Sequence, residues 1–192
     1  MNNYITTYTG KHLKPTDPDP EMICIEDIAH ALSLICRANG HVHTFWSVGQ
    51  HCINCALEAK ARGYSDRVIL ACLLHDASEC YLSDFPSPFK EDLPEYRVLE
   101  NRLLDIIYTK YLGSALSPEE HKQMKEIDNA MLWYDLSYLL HETQPGEKPE
   151  LYINLDYAVR PFKDVEKEYM DMFYQIRRRK RDRLSSETSI ME

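Results

Sequence analysis

The sequence predicts an all-α protein, a compact single-domain bundle of about six helices with an irregular N-terminal arm. Apolar residues recur at spacings of three and four through most of the chain, strand-type alternation is scarce, and capping residues stand at the ends of the periodic stretches. With 192 residues, 44% hydrophobic and 28% charged, the chain is long enough to bury a real core as one domain over 1–192. Neither an internal repeat nor a low-complexity linker interrupts it.

Residues 1–21 carry Pro15, Pro18 and Pro20 and read as the arm, with a short edge strand at most over Tyr4 to Thr9. A first helix fits Ile25 to Ala38, where Ile25, Ile28, Ala29, Leu32 and Ile35 form one stripe before Gly40. A second follows Ser47 as N-cap, with Gln50 completing a capping box, and stops at Gly63. The third, from Ser65 or Asp66 to about Glu79, is apolar all round over Val68 to Leu74 and is expected to be the central, most buried helix. Pro86, Pro88 and Pro94 turn the next stretch, Tyr81 to Pro94, into a structured loop. A fourth helix fits Glu95 to Tyr111. The fifth has the clearest start, Ser117-Pro118 with Glu120, and reaches Leu140. A last amphipathic helix fits Asp164 to about Arg183.

Composition narrows the function. A net charge of −9 opposes non-specific nucleic-acid binding by the whole surface, because such proteins present a basic face. Six of the seven residues from Arg177 to Arg183 are basic, which reads as a solvated helix end complementing the macrodipole, with nucleic-acid contact as the alternative. No stretch approaches the roughly 18 apolar residues of a membrane span, and the N-terminus lacks signal-peptide order. A cytoplasmic protein is expected. The six cysteines, Cys24, Cys36, Cys52, Cys55, Cys72 and Cys80, then read as reduced thiols packed as small hydrophobes. Cys52 and Cys55 have CxxC spacing, but no second pair or preceding strand supports a zinc-ribbon or thioredoxin reading.

The chemistry lies in polar residues that interrupt the apolar patterns. His75 and Asp76 end a run that must be buried, and an imidazole beside a carboxylate is costly to desolvate there unless a cation compensates it. His51 falls in the first turn of helix two and Asp128 beside the core stripe of helix five. Two imidazoles and two carboxylates from three helices suit one divalent transition metal, Mn, Co, Ni, Fe or Zn, with positions left for water and substrate. Glu79, four residues after His75 and three after Asp76, faces the same side if the helix continues.

The order His51, His75-Asp76, Asp128 resembles the H…HD…D signature of the HD-domain metal-dependent phosphohydrolases. His75-Asp76-Ala77-Ser78-Glu79 followed by Asp84, Pro86, Pro88 and Lys90 is similar to the short bacterial 5′-deoxynucleotidases and their phage and prophage relatives. Ile25 to Ser33, Cys36-Arg37, Gly40-His41 and Phe45 to His51 look like the prophage-type branch, so the likeness runs roughly from Tyr8 to Leu140. The resemblance implies that His51, His75, Asp76 and Asp128 hold the metal, that Glu79 and Asp84 are the catalytic carboxylates with their separate roles left open, and that Arg37 binds phosphate. It sets Lys90 beside the same phosphate. Trp46, with Phe45 and Tyr81, lies near the ligands in sequence and is a candidate to stack on a base or ribose, the other reading being a core aromatic.

The implied reaction is hydrolysis of a nucleoside 5′-monophosphate by metal-activated water. A dNTP triphosphohydrolase is the alternative, and a non-catalytic nucleotide or nucleic-acid binder the third reading. In the deoxynucleotidases the arginine matching Arg37 is followed by a tryptophan associated with deoxyribose selection. Ala38 stands there in this chain, which leaves the sugar open. His41 and His43 add two imidazoles nearby, for substrate binding, proton transfer or the fold, and neither is assigned as a ligand. A homodimer through the outer helices would follow the resemblance.

Overall fold

The computed structural model describes residues 3–190 and, among them, all side chains except those of 87, 89 and 180–190. The chain is all-α, with one small antiparallel hairpin, β1 (Ile5–Thr6) paired with β2 (His12–Leu13). The helices are α1 (Ile25–Leu34), α2 (Val48–Ala61), α3 (Asp66–Leu74), α4 (Glu79–Leu82), α5 (Ser87–Asp92), α6 (Pro94–Leu112), α7 (Pro118–Leu139) and α8 (Phe162–Ile190). The two helices beyond the expected six are the short α4 and α5, which occupy the proline-containing stretch read as a loop. Proline fits at the second position of α5 because the first turn of a helix has no intrahelical use for its N–H.

Every residue from Val68 to Leu74 is buried, so α3 is the central helix, packed on α2, α6, α7 and α8. Its closing partner is α8, whose Val165, Tyr169, Phe173 and Ile176 fall on one helical face and are buried. The Tyr169 hydroxyl donates to the Leu73 carbonyl at 2.5 Å. The basic run beginning at Arg177 lies on this helix, and its side chains from Lys180 onward are outside the described residues.

Two departures from the expected helix ends shape the site. α1 stops at Leu34 rather than Ala38, and the chain then runs extended, bonding Val48 N–H to the Ile35 carbonyl at 3.0 Å and Arg37 N–H to the Trp46 carbonyl at 2.8 Å. That ladder ties the exit of α1 to the entry of α2. Ala38 and Asn39 follow in the left-handed region at φ 52° and 54°. Likewise α3 ends at Leu74, not Glu79. The Cys72 carbonyl, which a continuing helix would offer to the Asp76 N–H, accepts instead from His75 Nδ1 at 2.8 Å, and the next turns tighten to bonds from Ala77 to Leu74 and from Glu79 to Asp76.

The predicted caps at Ser47 and Ser117 are both complete capping boxes. Arg67 fixes where α7 begins, because its guanidinium holds Glu120 at 2.6 Å and the Leu112 and Ala115 carbonyls at 2.9 and 2.8 Å. Gly49 sits where α1, α2 and α8 crowd together. A Cβ there would come within 3.2 Å of the Leu32 backbone and the Val165 side chain.

Candidate functional site

Four elements converge below the end of α3. α2 contributes His51 and Cys55, the tightened turn after α3 contributes His75 and Asp76, α4 contributes Glu79, and α7 contributes Asp128. His51 Nε2 lies 3.1 Å from Asp128 Oδ1 and 3.9 Å from Asp76 Oδ2, and His75 Nε2 lies 3.3 Å and 3.2 Å from the same two oxygens. The four residues expected at a metal are therefore brought together.

The tautomers follow from the other ring nitrogens. His75 Nδ1 faces the Cys72 carbonyl, and a carbonyl only accepts, so that nitrogen carries the hydrogen. His51 Nδ1 faces Asp135 Oδ2 at 2.9 Å and is assigned a hydrogen on the same ground. Both Nε2 lone pairs then point toward carboxylate oxygens, and His75 Nε2 is buried without a hydrogen-bond partner. Lone pairs aimed at oxyanions repel each other unless protons or a cation lie between them. The donor set fits a divalent metal, with nitrogen and oxygen ligands of the types zinc and its neighbours take.

The charges agree. Asp76, Glu79, Asp84, Asp128 and Asp135 outnumber Arg37, Lys90 and Lys125 in this region. With no cation present, burial pulls both histidines down, but the surrounding carboxylates and sulfurs override it and raise them well above the usual imidazole range. Burial pushes Asp76 and Asp128 up, and the imidazoles outweigh it and hold both below the usual carboxylate range. Glu79 behaves oppositely. It is 3% exposed, and burial, with Asp76 and Asp84 beside it, pushes it well above its ordinary value. Burial also raises Asp84.

Around this core the residues expected to meet a phosphate assemble unevenly. Arg37 reaches Asp76 at 3.5 Å and Asp135 at 3.4 Å. Lys90 reaches Glu79 at 3.3 Å and, more closely, Glu100 at 2.6 Å. Asp84 stands half-buried in the field of Arg37 and Lys90. Trp46 requires a correction: it is 2% exposed and packs on Tyr157 at 4.8 Å, so it presents no face to a ligand. Tyr81 is likewise a core aromatic. His43 packs edge-on against His141 at 4.3 Å.

Sequence reasoning missed Asp135, Tyr157, Lys125 and Cys55. Asp135 is buried and joins three partners, accepting from His51 Nδ1, from Arg37, and from the Tyr157 hydroxyl at 3.0 Å. It lies seven residues after Asp128, two turns along the same face, and that spacing was the available signal. Lys125, one turn before Asp128, pairs with its Oδ2 at 2.6 Å. Tyr157 comes from an irregular segment and had no sequence signal. All six cysteines are free, and Cys55 Sγ lies 3.5 Å from His51 Nε2.

A groove of about 350 Å³ lies between α2, α3 and α8, and a shallow one of about 730 Å³ lies over α6 and the Pro20–Glu21 turn, but neither holds a convergent set of donors. No helix among the described residues is long and apolar enough to cross a membrane.

Fold and site define an all-α protein with a buried histidine, cysteine and aspartate group able to hold a metal ion. No protein-family model matches the chain. It is 35% identical over 130 residues to the uncharacterized protein YfdR of Escherichia coli, an alignment that covers 68% of each chain. It is also 36% identical over 120 residues to an uncharacterized protein of Rhodobacter capsulatus, covering 60% of this chain and 61% of that one. The chain belongs to the family of YfdR.

Proposed function

We propose that this protein is a metal-dependent phosphohydrolase of the HD-domain kind that removes phosphate from nucleoside 5′-monophosphates in the cytoplasm. The observation that carries the reading is the convergence of His51 Nε2, His75 Nε2, Asp76 Oδ2 and Asp128 Oδ1, within 3.1–3.9 Å of one another across the imidazole–carboxylate pairs, with both Nδ1 atoms already engaged. These residues would hold the ion. When bound, a divalent cation supplies Lewis acidity, neutralising phosphoryl charge and lowering the pKa of a ligated water.

The chain's own groups complete the chemistry. The Arg37 guanidinium, braced between Asp76 and Asp135, presents donors suited to bidentate contact with phosphoryl oxygens. Lys90 adds a point charge beside Glu79. Glu79 Oε2 is buried without a partner, and burial, with Asp76 and Asp84 beside it, raises its carboxyl well above the ordinary value, which suits it to proton transfer at the reacting oxygen. Asp84, more exposed, would position the attacking water or protonate the leaving oxygen. The six free cysteines support a reducing compartment.

A panel of nucleoside mono-, di- and triphosphates with Mn, Co, Ni, Zn or Mg, scored by product, tests this reading. Metal-dependent release of inorganic phosphate from a monophosphate is the expected result. Release of tripolyphosphate from a dNTP, with monophosphates untouched, would replace it by the triphosphohydrolase reading. No product with any pair would leave a binding protein.

A further inference from the structure

Besides the two histidines and Asp128, a sulfur faces the same point. Cys55 follows His51 by one helical turn, so α2 presents both to one side. Its Sγ and the donor atoms of His51, His75 and Asp128 all lie within 4.8 Å of one another. Cys55 is 1% exposed, and the group contains His75 Nε2, on a side chain 4% exposed, which has no hydrogen-bond partner.

The other buried thiols nearby are differently placed. Cys52 Sγ lies 4.0 Å from His75 Nδ1, the nitrogen already donating to the Cys72 carbonyl, and it groups with His75 and Asp76 but not with His51 or Asp128. We infer that Cys55 is a ligand of the ion, making this a mixed nitrogen, oxygen and thiolate centre that selects thiophilic cations, Zn²⁺ and Co²⁺, over Mn²⁺ and Mg²⁺.

The selectivity follows from ligand softness: a thiolate favours zinc-like ions, whereas manganese and magnesium prefer an all-oxygen or oxygen and nitrogen set. Coordination requires the thiol to give its proton to solvent as the metal–sulfur bond forms, so binding releases a proton that the Asp76 and Asp128 carboxylates do not supply. The inference rests on the metal part of the proposed function and is independent of the substrate.

Titrating the full metal-free chain with Co²⁺ alone tests it. The wild type should develop intense near-ultraviolet thiolate-to-cobalt absorption together with visible d–d bands. Cys55→Ser should keep the visible bands and lose the near-ultraviolet one, while Cys52→Ala keeps both. Zn²⁺ affinity of Cys55→Ser should fall by more than the about 10- to 100-fold that loss of an outer partner costs, with Mn²⁺ affinity much less affected. X-ray absorption at the zinc edge of the wild type needs no variant and should find one sulfur at about 2.3 Å.

Cobalt bound without thiolate absorption, absorption that survives Cys55→Ser, a zinc shell without sulfur, or no cobalt binding would each overturn the assignment. Phosphate release measured on the same cobalt-loaded protein separates the two ideas. Release without the thiolate band removes Cys55 and leaves the hydrolase; the band without hydrolysis of any nucleotide keeps Cys55 and removes the hydrolase.

Discussion

The two sides of the site are built from different material. The donor side rests on α2, the end of α3, and α7, helices whose apolar faces are the core, and both His51 and His75 are buried in it. The side proposed to face phosphate rests on the two shortest helices, the residues between them and Arg37 in the segment after α1, with Asp84 and Lys90 only half-buried and Lys90 closer to Glu100 than to Glu79. Glu79 is the joint between them, buried like the donors but carried by a single turn. The contrast teaches where rigidity is spent. Donors must be held within fractions of an ångström by the packed core, whereas groups that meet a diffusing phosphate need access.

The largest effect should come from the rigid side. His75→Ala, or exposure to a strong chelator, is expected to reduce phosphate release to background, and only the chelated wild type should recover on adding Co²⁺ or Zn²⁺, with metal content read by elemental analysis. Next comes the joint. Glu79→Gln keeps shape and burial while removing the titrating group, so kcat should fall by about 10²- to 10⁴-fold, the range for loss of a positioned acid or base, with metal content unchanged. Loss of metal in Glu79→Gln would move Glu79 from proton transfer to ligation.

The donor side was also the more legible in the sequence. His75-Asp76 announced itself because a charged pair at the end of Val68 to Leu74 has few cheap explanations, and Asp128 joined it through the stripe of helix five. Asp135 escaped because a carboxylate on a helix is usually solvated, and only the fold shows that it lies buried under His51 and Arg37. Cys55 escaped because a buried thiol passes for a small hydrophobe. Local pattern misplaced the ends of α1 and α3, since both breaks are made by bonds that periodicity does not record: the ladder to Trp46 and Val48, and His75 Nδ1 on the Cys72 carbonyl. Trp46 looked like a binding residue through proximity in sequence, but its ring turns into the core.

Asp135→Asn probes whether the donor side depends on its supporting carboxylate. It removes the acceptor charge that orients His51 and braces Arg37, so metal affinity or activity should drop about 10- to 100-fold, measured by competition with a chromophoric chelator and by kcat and KM. A change confined to KM would confine its role to Arg37.

Glu79 also has a signature in stability. Its carboxyl is raised in the folded protein above its unfolded value, so its favourable contribution is present below the ordinary glutamate pKa and is lost as pH rises through the raised one. In the chelated protein, Glu79→Gln should therefore gain stability relative to wild type across that window, by up to about 1.4 kcal/mol per pH unit. Because Asp76 lies beside Glu79 and titrates with it, the difference reports the pair rather than Glu79 alone. Equal denaturant midpoints at every pH would mean that Lys90 neutralises Glu79 fully.

The smallest effect separates charge from support. Tyr157→Phe removes only the hydroxyl that donates to Asp135 Oδ1 at 3.0 Å, and leaves the ring stacked on Tyr138 at 4.3 Å and packed on Trp46. One hydrogen bond to a charged group contributes about 1.5–3 kcal/mol, less here because Asp135 keeps His51 and Arg37 as partners. A modest fall in unfolding free energy by denaturant, with metal affinity nearly unchanged, is expected if the negative charge of Asp135 does the orienting. A loss of metal as large as that of Asp135→Asn would instead make the position of the carboxylate, fixed by Tyr157, the quantity that the rigid side protects.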